Sequence, residues 1–201
     1  MAEESWLMER VSDGLVGWVA FQQAARRSKL FLEYYLYPPV LEMAFGRGWI
    51  VTPQFPLPRV KGQRGASETF DFLFFRNTDK RNGVPRGLAA VEIKFVRKLS
   101  RNYQIADDAR KLIKVDSSDL NLEGYGDLRR YIMVCGYEKT LRAYFAKNIE
   151  DKAFGTILNK IEHGKNGERY GWVRRSDAQI AGKPMVIVFK NRDWASRFPE
   201  A

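Results

Sequence analysis

Asp71 and the run Glu92-Ile93-Lys94, separated by twenty residues, are the groups of this chain best suited to chemistry. Each sits in a segment that reads as a buried strand, Phe70-Asp71-Phe72-Leu73-Phe74-Phe75 and Leu88 through Val96. An ionised carboxylate among so many apolar neighbours is costly unless a cation, a metal ion or strong hydrogen bonds compensate it. Glu92 and Lys94 are two apart, so on a strand they point to one face while Val91, Ile93 and Phe95 point to the other. Asp, Glu and Lys converging on one spot supply what metal-assisted phosphodiester hydrolysis requires. Carboxylates hold a divalent ion that activates water and offsets phosphate charge, and a neighbouring ammonium orients or deprotonates that water or stabilises the transition state. On this reading Asp71 and Glu92 are metal ligands, the backbone carbonyl of Ile93 is a third, and Lys94 handles the attacking water. Mg2+, or Mn2+, suits such oxygen donors.

The elements that must position these residues follow from periodicity. Leu15, Val16, Val19, Ala20 and Gln23 recur at helical spacing through about Arg27. Leu30 to Tyr37 continues as an apolar, aromatic stretch that Pro38-Pro39 must break or restart, and Val40 to Phe45 reads as a short helix stopped at Gly46 or Gly48. Trp49 to Phe55 is a strand, and a basic loop from Pro58 to Gly65 enters the strand of Asp71. The turn-rich segment Asn77 to Gly83 joins that strand to the one bearing Glu92. A helix with Tyr103, Ile105, Ala106, Ala109, Leu112 and Ile113 on one side follows, then a polar loop with Gly124 and Gly126 and a strand from Arg130 to Cys135. One long amphipathic helix is expected over about Lys139 to Ile161, and Gly171 to Val173 and Met185 to Phe189 close the chain as strands. These elements make one α/β domain over 1–201 with a mixed central sheet flanked by helices. It divides into a helical extension over 1–30, a core over about 33–135, and a helix with terminal strands over 136–201.

Composition narrows the chemistry. The chain has 201 residues, a formal net charge of +10 and 45% apolar residues, which fits a globular protein with a polyanionic partner. One histidine and one cysteine exclude zinc sites built from several such ligands. His163 follows a helix end, where it complements the helix dipole, and Cys135 reads as a small buried hydrophobe. Gly46-Arg47-Gly48 lacks the context of a phosphate-binding loop. The acidic start carries no signal-peptide pattern and the patch from Gly14 to Phe21 is too short to span a bilayer, so the expectation is a cytoplasmic protein with no membrane partner. Trp18, Trp49 and Trp172 fall in apolar patterns and are expected in the core.

The order of elements and these residues together resemble the PD-(D/E)xK, or restriction-endonuclease-like, nuclease superfamily, whose core runs helix–strand–strand–strand–helix–strand. Asp71 matches that family's Asp and Glu92-Ile93-Lys94 its Glu-x-Lys, over about Glu33 to Cys135. The proline of the family's name is missing, since Phe70 precedes Asp71. The resemblance implies Mg2+-dependent hydrolysis of DNA, an acidic residue from the first core helix (Glu42 or Glu33), and polar or basic residues on the helix after Glu-x-Lys. Gln104 and Lys111, seven apart, share one helical face for that role. Arg59, Lys61 and Arg64 are placed to grip a backbone phosphate. A homodimer or a specificity partner would be needed for strong sequence selectivity. The alternative is a catalytically inactive nucleic-acid-binding module or assembly subunit with the same fold.

Overall fold

In the computed structural model, residues 3–27, 32–57, 68–76, 87–99, 103–120, 128–148, 151–177, 182–191 and 194–197 are described. Arg59, Lys61 and Arg64, the turn from Asn77 to Gly83 and the loop with Gly124 and Gly126 lie outside them.

Two strands that are apolar except for Thr69, Asp71, Glu92 and Lys94 dictate the architecture, because each needs cover on both faces. They are β2 (Thr69–Phe75) and β3 (Leu88–Val96), and they lie inside a six-stranded mixed sheet. The other strands are β1 (Ile50–Pro56), β4 (Arg129–Tyr137), β5 (Gly171–Arg175) and β6 (Pro184–Lys190), in the order β1-β2-β3-β4-β6-β5. All neighbours are antiparallel except β3 and β4, which run parallel and are joined through a helix, α3 (Ile105–Ile113). On one face lie α1 (Glu3–Ala24) and α2 (Tyr37–Phe45), packing Leu7, Leu15, Val19 and Val40 against Phe72, Val91, Ile93 and Met133. On the other lie α3, α4 (Glu138–Lys147) and α5 (Lys152–His163), with Leu112, Leu141 and Phe154 against Leu73, Ala90, Ile132 and Ile187. A short helix, α6 (Trp194–Arg197), buries Trp194 against Phe154.

The helix restart at Pro38-Pro39 is realised as a 3-10 turn, Glu33–Leu36, running into α2. The prolines fall in the first helical turn, where backbone N–H groups have no intrahelical acceptor and their loss is tolerated. Trp49 and Trp172 are buried and Trp18 is partly buried, while Cys135 is wholly enclosed.

The single long helix expected over Lys139 to Ile161 is instead two, α4 and α5, broken at Asn148, which turns to extended backbone. The reason is Asp151, a fully buried carboxylate. One of its oxygens accepts the Ala106 N–H at 2.8 Å, and the other accepts the Tyr144 hydroxyl. Ala106 is in the first turn of α3, so Asp151 caps α3 from 45 residues away, where the helix dipole favours negative charge. A continuous helix could not deliver that side chain. Replacing Asp151 with Ala strands two buried donors and is expected to destabilise the fold by about 2–4 kcal/mol, with Asp151→Asn losing less because it keeps one acceptor. Urea denaturation measures both.

Candidate functional site

Backbone pairing between β2 and β3 ends at Phe72 opposite Val91, one step short of setting Asp71 opposite Glu92. The Asp71 carboxylate fills the gap: its Oδ2 accepts the Ile93 N–H at 2.8 Å, which the ladder leaves available. Its Oδ1 accepts the Tyr37 hydroxyl from the start of α2. Gln54 falls between the β1–β2 pairs Pro53–Phe72 and Phe55–Phe70, with a left-handed φ of 51°. From there its Nε2 donates to the Tyr37 oxygen at 2.8 Å and reaches Asp71 Oδ1 at 3.4 Å. A non-glycine residue held at positive φ beside a buried acid is the kind of local strain that surrounding contacts must enforce.

Glu92 and Lys94 share the face of β3 that meets α3. Lys111 Nζ lies 2.5 Å from Glu92 Oε1 and donates to the Thr69 carbonyl at 2.9 Å. Lys94 Nζ lies 3.2 Å from Asp108 and 3.6 Å from Glu33. Asp108 and Lys111 are one helical turn apart on α3, 3.7 Å from each other, so this helix presents one acid and one base to the strand. Four carboxylates thus meet two ammonium groups, a formal −4 against +2 when all are ionised. Asp71 is 7% exposed and Glu92 1%, so water does little to relieve the imbalance.

The ionisation of the cluster follows from that excess. Burial, then the neighbouring charges of Asp71 and Asp108, pushes Glu92 up to about 9, outweighing the Lys111 ammonium beside it. Burial raises Asp108 to about 6 against the pull of Lys94 and Lys111, and burial also raises Glu33. Burial works to lower Lys94, but the carboxylates of Asp108, Glu33, Asp71 and Glu92 together hold it above its ordinary value. Tyr37 is raised by burial and by its bond to Asp71, so it stays a proton donor.

The sequence-derived residues are brought together in part. Asp71, Glu92 and Lys94 converge, and of the two acids from the first core helix it is Glu33, in the 3-10 turn, that reaches Lys94. Glu42 is exposed, five residues and so about 140° around α2 from Tyr37. Lys111 belongs to the cluster as a partner of Glu92 rather than to an outer substrate-facing surface. Gln104 does not share its helical face. It precedes α3 in a left-handed conformation with φ 55° and is exposed. The Ile93 N–H faces Asp71, and on a strand a residue's carbonyl leaves on the same edge as its N–H. Asp108, Tyr37 and Gln54 complete the cluster without having been singled out in the sequence. The one signal that could have found any of them is the three-residue spacing of Asp108 and Lys111, which sets an acid and a base one helical turn apart.

Among the described residues no three His, Cys, Asp or Glu side chains are grouped so as to enclose a cation. Asp71 and Glu92 are the carboxylates that could hold Mg2+, an ion that commonly binds through one or two carboxylates, waters and substrate phosphates. Two buried carboxylate oxygens, Glu92 Oε1 and Asp108 Oδ2, have close lysines but no hydrogen bond of proper geometry. A cavity of about 440 Å3 adjoins the cluster at Glu33. A larger one, about 690 Å3, lies at the other end of β4 from Val134, the partner of Lys94, and is lined by Arg129, Arg130, Arg169 and Lys190. Compared with known proteins, the chain matches no family model, no curated protein and no solved structure.

Between pH 4.5, the ordinary value for Glu, and about 9, the folded chain holds a proton on Glu92 that the unfolded chain releases, so stability falls as pH rises through that window. Asp108 adds to the slope from about 4 to about 6. The melting temperature in chelator is therefore expected to drop from pH 5 to pH 9, and Glu92→Gln to flatten the drop.

Proposed function

We propose that this protein is a metal-dependent nuclease that hydrolyses DNA phosphodiester bonds, with a core of the PD-(D/E)xK kind. The observation that carries the proposal is the convergence of Asp71, Glu92 and Lys94 at one buried point, short of compensating cations, where β2 and β3 separate. The element order α2-β1-β2-β3-α3-β4 supports it, as does a net charge of +10. Mg2+ or Mn2+, held by Asp71 and Glu92, would supply the activated water and neutralise phosphate charge.

The chain's own residues do the rest. Tyr37 and the Ile93 N–H fix both oxygens of Asp71, so its orientation is set before a substrate arrives. Lys94, kept protonated by the surrounding acids, is positioned to stabilise charge on a phosphate rather than to act as a base at neutral pH. Asp108 and Glu33 hold the Lys94 amine, and Lys111 steadies Glu92 from α3. A second reading, a binding module without turnover, draws on the engagement of Asp71 and Glu92 by donors of the protein itself.

The test is cleavage of supercoiled, linear and single-stranded DNA with Mg2+ or Mn2+ and with chelator. Asp71→Ala and Lys94→Ala are each expected to lower the rate by about 10²–10³-fold. Metal-dependent cutting that survives both substitutions would sink the assignment. Salt-sensitive binding with no cutting by the wild type selects the module.

A further inference from the structure

The cavity beside Glu33 is chemically unlike the carboxylate cluster it adjoins. Its walls are aromatic and aliphatic, with Tyr34, Phe95, Tyr103 and Leu32, and two cations, Arg97 and Lys98, stand on it. Tyr34 is 67% exposed and Leu32 57%, an unusual outlay of apolar surface for the rim of a site that is otherwise charged. Its volume of about 440 Å3 falls in the range of small-ligand sites.

One side of the cavity is held by a residue that also holds the cluster. The Tyr34 ring packs edge-on to the Tyr37 ring at 5.4 Å, and Tyr37 in turn bonds Asp71. On the far side the Tyr103 hydroxyl accepts the backbone N–H groups of Arg97 and Lys98 at 2.8 and 3.0 Å, while its ring stacks edge-on to Tyr144 at 5.5 Å. Arg97 and Lys98 follow Lys94 by three and four residues at the end of β3, and their exposed side chains make no ion pair among the described residues. An aromatic face for a ring, with uncommitted cations next to it for the adjoining phosphates, is the pairing by which single-stranded nucleic acid is held.

We propose that this cavity takes an unpaired nucleobase of the strand whose phosphate lies at Asp71, Glu92 and Lys94. The substrate class is then single-stranded DNA, or the single-stranded portion of a branched or frayed duplex. This rests on the nuclease reading above and adds to it the state of the strand next to the cut. A base stacked within a regular duplex has both faces covered by its neighbours, so it has none to offer Tyr34.

Fluorescence anisotropy in chelator, with a short labelled single-stranded oligodeoxynucleotide and its duplex, reads binding without turnover. The single strand is expected to bind about tenfold or more tightly than the duplex. Tyr34→Ala is expected to weaken single-strand binding roughly tenfold, and Tyr34→Trp to restore it. Tyr34 is largely exposed, and a thermal melt of each variant checks that folding is retained. Arg97→Ala with Lys98→Ala should weaken binding further and reduce its salt dependence. Equal affinity for the two DNA forms, or binding indifferent to Tyr34→Ala, overturns the proposal even if the protein cuts DNA. Tyr34-dependent single-strand binding without metal-dependent cutting supports the base site and removes the nuclease reading.

Discussion

Everything at the centre of this molecule follows from placing acids where the sheet is driest. Asp71 and Glu92 lie on adjacent strands whose other residues are among the most buried of the chain. Carboxylates there cannot rely on water, so the protein surrounds them with donors: a tyrosine hydroxyl, a backbone N–H and a lysine ammonium. Each donor comes from a different element, and each element must be held in place for the acids to be tolerated. The positions of α2, α3 and the 3-10 turn around β2 and β3 can be read as the requirements of these two side chains.

The compensation is incomplete, and this distinguishes the cluster from an ordinary buried salt-bridge network. The ion pairs between Arg142, Arg175, Glu138 and Glu162 on the outer face of the protein are balanced, with two acids meeting two bases. The interior cluster has twice as many acids as bases. A protein selected only for stability has little reason to bury such an excess, because protonating Glu92 is the remaining way to relieve it.

How much of this was legible in the sequence divides by range. The strands were readable because they are apolar apart from a few charged positions, and Glu92 with Lys94 on one face followed from strand periodicity alone. The convergence of Asp71 with them was visible only as two short motifs on neighbouring strands. Tyr37 and Gln54 were not legible, since their role depends on the register of β1 against β2 and on a positive φ that no residue type announces for glutamine. Gln104 was misplaced because its spacing from Lys111 assumed a helix starting two residues too early. The break between α4 and α5 was hidden because the apolar pattern continues through it. What interrupts it is Asp151, whose partner Ala106 lies in a distant segment.

That last contact bears on how the chain comes to be assembled. Asp71, Glu92 and Lys94 are all made within the first half of the sequence, yet the helix that carries Asp108 and Lys111 is capped by a residue from the second half. Its neighbour β4 likewise completes its pairing only with β6, Pro184–Lys190, near the end of the chain. During synthesis the acids therefore emerge from the ribosome well before the lysine-bearing helix can be fixed against them. The charge cluster is closed late, by contacts of high sequence separation that slow folding. Asp71 finds its partners Tyr37, Gln54 and Ile93 within the first half, whereas the helix whose Lys111 pairs with Glu92 takes its cap from Asp151.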